Sequence, residues 1–366
     1  MSRSRLHLFN PENDLALALG CRHYTPPPHA AQLHRAGALL PVWWADRNDS
    51  IIAPYATTDE DIAWLSATWG LKASTSLPDT HCEASPWGWS EDARRQFVTA
   101  GVDPVVLPPD ETLRHLRNLS HRRSSIAILS AMGLDRLVPE EVTDPQRALQ
   151  LEDESPGRFF KSPWSCSGRG VFCARGLSRK VLHEKTAGII NRQGSVMAER
   201  GYMKVAEFGS LYECDAIGVK FRGLSMFLTE ARGAYTGNIV APQDYFIRRI
   251  DSLGLLRQLD DATRQLESVL TPMLTPYYKG WLGIDMMAYT GDDGHIHLHP
   301  CIELNLRMTM GVAAMKISER LSATRPMLMS WQRASASDDT PTLLKPREGF
   351  ALTLTDLNSK LKTLNS

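Results

Sequence analysis

The sequence predicts an α/β N-terminal domain built on a parallel sheet, followed by a strand-rich region in which strands and helices mix. Two observations carry most of this. Over about the first 120 residues short apolar runs alternate with helix-like runs, the βαβα rhythm of a parallel sheet. Beyond that, Gly-containing turns join successive strands into hairpins, at "KSPWSCSGRGV" and again at "GDDG".

The elements follow in order. "RLHLF" (5–9) is a short strand, "NPEND" a turn and "LALALG" a helix. "HYTPPPHAAQL" places three prolines ahead of a helix start. "GALLPVWWA" reads as the second strand and "EDIAWLSATWG" as a helix ending on Gly70. "VDPVVLPPDETLRHLRNL" reads as a strand followed by a helix. "HRRSSIAILSAMG" is a helix closed by Gly133, and "TDPQRALQLEDE" starts another with Thr143 as N-cap and Pro145 in its first turn. "GRFFKSPWSCSGRGVFCA" is a hairpin around a Gly/Ser loop. Further strands are expected at "SVMAERGY", "SLYECDAIGVKF", "LSMFLTEARGAY", "WLGIDMMAYT" and "HIHLHPCIELNL", with the amphipathic helix "LLRQLDDATRQLESVLTPML" among them. From 331 onward "SWQRASASDDTPTLLKPREG" reads as a surface loop, and "FALTLTD" as a final strand.

Composition narrows the classes. The 366 residues are 43% hydrophobic and 22% charged, an ordinary globular balance with ample core. Equal counts of 41 basic and 41 acidic residues give no net field to steer nucleic acid or a membrane. The N-terminus lacks an apolar signal segment and no uninterrupted run is long enough to span a bilayer, so a cytoplasmic protein is expected. Six cysteines (21, 82, 166, 173, 214, 301) without CxxC spacing read as reduced thiols.

Two stretches carry chemistry. In "KSPWSCSGRGV", Lys161 ends an apolar strand, and Ser165, Ser167, Gly168 and Gly170 form a loop able to gather backbone N–H groups around phosphate oxygens. It matches neither a P-loop nor GxGxxG, and an ordinary hairpin turn fits it as well. Cys166 in that loop has no neighbouring base and reads as a small filler. In "GWLGIDMMAYTGDDGHIHLHPCIELN", the turn should pair the Asp285 strand with the Glu303 strand. Asp285, Glu303 and the Asn305 amide are hard oxygen donors suited to Mg²⁺ shared with phosphates. Their other reading is a structural salt bridge with arginines such as Arg307. Residues 295–307 alternate with a period of two, one face apolar and the other running His295, His297, His299, Cys301, Glu303, Asn305, Arg307. The histidines suggest a rival transition-metal site, but neighbours on one strand face lie about 7 Å apart, so a solvated edge is expected.

A Lys-plus-Gly-loop hairpin, an acidic hinge and a terminal D…E-x-N-x-R pair of strands, in this order over about 115–315, resemble the ATP-grasp superfamily. The resemblance implies an N-terminal α/β domain (1–118) and an ATP-grasp fold of two α+β subdomains (119–195 and 196–330), with 331–366 as an extension. It implies ATP and Mg²⁺ (or Mn²⁺) as cofactors and activation of a carboxylate as an acyl phosphate. By position, Arg122 matches the first ATP-contacting lysine of the dipeptide ligases, Lys161 the lysine that reaches the α/β-phosphates, and Ser167, Gly168 and Gly170 the flap over the phosphates. Glu199 matches the adenine edge and Glu207 the ribose contact. Arg232 and Arg307 match the catalytic cations, and Asp285, Glu303 and Asn305 the metal ligands. Gly283 stands where the dipeptide ligases of this superfamily carry an arginine, and Asp285 and Glu303 are further apart in sequence than in them. The opening "FNPENDLALA" resembles uncharacterised bacterial members and names no substrate.

The expectation is a carboxylate–amine ligase taking small-molecule carboxylate and amine substrates, with a homodimer compatible. A phosphotransferase acting on a hydroxyl and a non-catalytic nucleotide-binding regulator are the alternatives. Glu12, in the loop after the first strand of a parallel sheet, is expected to hold the acceptor substrate. Asn10, Asn13 and Asp14 are equally expected to cap the helix after it.

Overall fold

A computed structural model describes residues 4–53, 59–165, 170–229, 235–334 and 340–357. Strands β1 (Arg5–Leu8), β2 (Ser50–Ile51) and β3 (Glu83–Pro86) form a parallel sheet in the order β2-β1-β3. Helices α1 (Asn13–Leu19), α2 (Pro28–Gly37), α3 (Asp59–Trp69), α4 (Glu91–Thr99) and α5 (Asp110–Leu119) accompany it. The parallel N-terminal sheet is as expected, but two of its strands lie elsewhere. "GALLPVWWA" holds a 3₁₀ turn, Leu40–Trp43, because Pro41 has no N–H to give a ladder and all four residues are buried. "VDPVVLPP" likewise forms the 3₁₀ turn Pro104–Val106, capped by the Asp103 side chain. The true second and third strands are short and carry too little alternation to show in sequence.

Next come α6 (Ser124–Ala131), β4 (Glu140–Val142), α7 (Pro145–Glu154), β5 (Phe159–Lys161), β6 (Val171–Cys173), α8 (Arg179–Gln193) and β7 (Val196–Glu199). The four strands make a sheet in the order β4-β7-β5-β6, and β5–β6 is the expected hairpin. The N-cap of α7 is Asp144, not Thr143: its carboxylate accepts from Gln146 N at 3.0 Å, and Pro145 follows at the first helical position.

The chain then lays down β8 (Met203–Cys214), β9 (Val219–Ser225), β10 (Phe227–Thr229), β11 (Tyr235–Val240), α9 (Gln243–Asp251), α10 (Leu256–Leu274), β12 (Gly280–Thr290), β13 (Ile296–Asn305), α11 (Met310–Leu321), β14 (Met327–Arg333) and β15 (Phe350–Asp356). Two expected single strands each split. "SLYECDAIGVKF" breaks where the Asp215 carboxylate accepts from Ile217 and Gly218 N–H groups, an Asx turn between β8 and β9. "LSMFLTEARGAY" divides among β9, β10 and β11. The resulting sheets run β13-β12-β8-β9 and β10-β11-β14-β15.

The stretch after 331 is not simply a surface loop. Its first residues complete β14, Leu343 and Leu344 are buried, and Trp43 and Trp69 donate their indole N–H groups to the Leu343 and Thr342 carbonyls at 3.1 and 3.0 Å. The main apolar core joins α5, α6 and α10 to the β8–β13 strands through Leu116, Ile128, Leu266, Phe208, Ile284 and Leu304. A second core joins Phe9 and Trp43 to α11, β14 and β15. Residues 142–198 carry a core of their own, around Phe160, Leu182 and Val196. Among the described residues, no helix is long and apolar enough to cross a membrane.

Candidate active site

The tight turn that follows β12 sets its antiparallel register with β13, and that register puts Asp285 directly opposite Glu303 and Gly283 opposite Asn305. Directly opposed residues share a sheet face, so two carboxylates sit side by side. Like charges so placed repel, and Asp285 is half-buried. Burial first, then the Glu303 charge, pushes the Asp285 carboxyl up to about 7, against the Asn305 hydrogen bond and the Arg307 and Arg122 charges. Asn305 Nδ2 donates to Asp285 Oδ2 at 3.1 Å.

One buried cation answers the pair in part. Arg122, 6% exposed, enters from the turn between α5 and α6; its Nη2 donates to Glu303 Oε2 at 2.7 Å. Its Nη1 donates to Ser162 O at 2.6 Å and Ser165 Oγ at 2.7 Å, tying the end of β5 to β13. Two carboxylates against one guanidinium leave a deficit of positive charge. A hard divalent cation fits there: the donors are Asp285, Glu303 and the second lone pair of Asn305 Oδ1, whose first accepts from Arg307 Nη2 at 2.9 Å. Among the described residues no three His, Cys, Asp or Glu side chains converge as a metal cluster, so the amide has to supply the third protein donor.

On the β5 side of Arg122, Lys161 at the end of β5 forms an ion pair with Glu199 at the end of β7, Nζ to Oε2 2.5 Å, both mostly buried. Gly170 closes the Lys161 loop at φ +71°, where a Cβ would lie 2.5 Å from Ser162 Oγ, so a side chain there would be both strained and blocked. Cys166, Ser167, Gly168 and Arg232 lie outside the described residues. Beside Glu199 opens a cavity of about 260 Å³, lined also by Tyr202, His299, Arg136, Arg158 and Arg200.

The chain matches solved structures over its whole length. It is 12% identical to N5-carboxyaminoimidazole synthase of Aspergillus clavatus in complex with ADP and 5-aminoimidazole ribonucleotide, covering 100% of this chain and 99% of that one with a TM-score of 0.51. It is 11% identical to the biotin carboxylase domain of Hydrogenobacter thermophilus 2-oxoglutarate carboxylase with MgADP and bicarbonate, covering 97% of this chain and 85% of that one with a TM-score of 0.52. The chain has the ATP-grasp fold. No protein-family model and no curated protein matches it in sequence.

Within the ATP-grasp fold, the candidate residues separate into groups. Arg122, Asp285, Glu303, Asn305 and Arg307 form one connected cluster, and Lys161 with Glu199 a pair near it. Glu207 stands apart on β8, paired with Lys204 at 2.7 Å.

The N-terminal loop does what sequence could not show. Glu12 is the N-cap of α1 but makes no side-chain cap bond, and Asn10, Asn13 and Asp14 do not cap the helix either. Asn10 Nδ2 instead donates to Gly88 O at 2.9 Å, joining the loops after β1 and β3. Gly88 admits this approach because a Cβ there would lie 2.4 Å from the Asn13 side chain. Asp14 accepts from Arg307 Nε at 2.9 Å and pairs with its Nη2 at 2.8 Å. Arg307 is thereby built into a chain running Asp14–Arg307–Asn305–Asp285. Glu12 is 5% exposed; its Oε1 meets His34 Nδ1 at 2.8 Å, and its Oε2 is buried with no hydrogen-bond partner. His299 was expected on a solvated edge and is instead 4% exposed, its ring packed edge-on against Tyr202 at 5.6 Å. The pointer to it in the sequence was its place on the Cys301–Glu303 face.

Proposed function

We propose that the protein is an ATP-dependent ligase that joins a small carboxylate to an amine or similar nucleophile through an acyl phosphate. The observation that carries this reading is the opposed Asp285–Glu303 pair, short of one positive charge and tied through Arg122 to the end of the Lys161 strand. Such a deficit suits a metal–triphosphate better than a structural salt bridge, which would have been neutral. That the neighbours named above hold ADP, and in one case magnesium, supports the same reading.

In this reading Asp285, Glu303 and Asn305 hold Mg²⁺ or Mn²⁺, which supplies charge neutralisation on the transferring phosphoryl group when bound. Lys161 and Gly170, with Ser167 and Gly168, hold the α- and β-phosphates, and Glu199 with the adjoining cavity takes the base. Arg122 is already desolvated, so its reorientation from Glu303 towards phosphate oxygens needs little solvent rearrangement. A substrate carboxylate oxygen attacks the γ-phosphorus and ADP leaves. The amine then attacks the acyl carbon, phosphate leaves, and the nitrogen gives up a proton. Arg307 stabilises developing negative charge while Asp14 holds its plane. Glu12, with its unpaired buried oxygen, anchors the acceptor amine.

The test is to incubate the full chain with ATP, MgCl₂ and a pooled metabolite extract and to follow products by mass spectrometry. ADP, phosphate and a new amide are expected. A phosphorylated alcohol would reassign the chemistry to phosphoryl transfer. Turnover unchanged in Glu303→Gln would remove the carboxylate pair from it.

A further inference from the structure

Arg122 reaches Glu303, Ser162 and Ser165 only while the turn between α5 and α6 holds its Cα–Cβ bond in one direction. The two peptide planes that flank it are pinned at every polar group. In the first, the His121 carbonyl accepts from Ser124 N at 2.9 Å and the Arg122 N–H donates to Pro163 O at 3.1 Å. In the second, the Arg122 carbonyl accepts from Ser125 N at 3.1 Å and from Ser125 Oγ at 2.8 Å. The remaining group, the Arg123 N–H, donates to Nδ1 of the His121 ring at 2.9 Å. A side chain that accepts from the backbone two residues on is how Asn and Asp close a turn, and here an imidazole does it.

That bond fixes the tautomer. A backbone N–H can only donate, so Nδ1 accepts and the neutral ring carries its proton on Nε2. Nε2 lies 3.4 Å from Ser195 Oγ, which itself donates to Glu141 Oε1 at 2.7 Å. Donor and acceptor therefore alternate along Arg123–His121–Ser195–Glu141, from the turn into the β4–β7 sheet. The ring is 3% exposed and edge-on to Trp164 at 4.6 Å. The charged groups facing it are Arg123, Glu141, Arg117 and Arg122. Burial first, then the Arg123 charge, pulls it down to about 4, so at neutral pH the Nδ1 acceptor is kept.

We propose that His121 is a positioning residue of the nucleotide site: by accepting from the Arg123 N–H through Nδ1, it fixes the backbone from which Arg122 reaches the phosphates. This rests on the nucleotide reading above. The two amides separate the ring nitrogens, since Asn places an acceptor near Nδ1 and Gln places one near Nε2. Calorimetric titration of the full chain and both variants with ATP and MgCl₂ at neutral pH tests it, with circular dichroism to check folding. His121→Asn should bind ATP within about twofold of wild type, and His121→Gln about five- to tenfold more weakly. Asn is the smaller and leaves the larger gap beside Trp164, so a ring needed only for packing predicts the opposite order. In an Arg122→Met background, His121→Gln should cost no further affinity, because the side chain it aims is gone. Wild-type affinity in His121→Gln, weaker binding by Asn than by Gln, or additive losses with Arg122→Met would each overturn the proposal. If wild type does not bind ATP, the ligase reading itself falls, and the positioning role falls with it.

Discussion

Replacing Asp285 with Asn should make the protein more stable and less able to bind metal. The carboxyl is pushed from 3.8 to about 7, chiefly by burial and by Glu303. About three units at 1.36 kcal/mol each bounds the penalty of ionising it in the folded state near 4 kcal/mol. Partial exposure and the shared titration with Glu303 reduce the expected gain to about 1–3 kcal/mol. Asn keeps the shape and can still accept from Asn305 Nδ2 through its own oxygen. The pH dependence gives the sign. Below pH 4 both folded and unfolded Asp285 are protonated, so the Asn variant has no advantage. From pH 4 to 7 the unfolded chain releases its proton while the folded one keeps it, so wild type loses ground as pH rises. Above 7 the full gap persists. Melting of both proteins by scanning calorimetry from pH 4 to 8.5 should therefore show curves that diverge through this window by a few degrees in Tm. Added MgCl₂ should raise the wild-type melting temperature and leave the variant unmoved. A variant less stable than wild type at pH 8, or a gap independent of pH, would refute the reasoning.

Lys161→Met should weaken ATP binding while destabilising the free protein, because Glu199 loses its partner. Adding Glu199→Gln should recover the melting temperature without recovering ATP affinity, and calorimetry separates the two. His121, stacked edge-on to Trp164 and pulled down to about 4 mainly by burial, should make the protein acid-labile. Stability is lost as pH falls from 6.5 to 4, by about 3 kcal/mol at most, and His121→Asn should flatten that limb in urea titrations. Glu12→Gln should leave ATP affinity intact and raise KM for the nucleophilic substrate; lost stability with KM unchanged would make the Glu12–His34 pair a folding element instead.

What sequence could and could not show follows from contact range. The Asp285–Glu303 pairing was legible because a tight turn and a period of two together define an antiparallel register. Lys161 and its hairpin were legible for the same local reason. Arg122 was marked only by resemblance, and nothing local says that it meets Glu303, 181 residues away. The Asp14–Arg307 pair spans 293 residues, so Asp14 read as a plausible helix cap. The misread strands failed differently: their apolar runs were real, but proline withheld the N–H groups a ladder needs. His299 was misjudged because period-two alternation assigns one face to solvent, whereas Tyr202, from the segment after β7, packs against that face.

The unit built on β4–β7 has a separate core, and this bears on turnover. Residues 142–198 bury Phe160, Leu182 and Val196 among themselves. The cluster joining the N-terminal sheet to α11, β14 and β15 draws no residue from that stretch. Such a unit can rotate on its two connections without breaking an apolar interior of either body. Lys161 and Glu199 would travel with it, while Asp285, Glu303 and Asn305 stay behind. Arg122 bridges the two, its guanidinium donating to Ser162 and Glu303 at once, and its own backbone N–H and the Trp164 indole add bonds to Pro163 O and Arg117 O across the same seam. Product escape would be governed by re-forming or breaking a few polar contacts at the mouth rather than by loosening the fold.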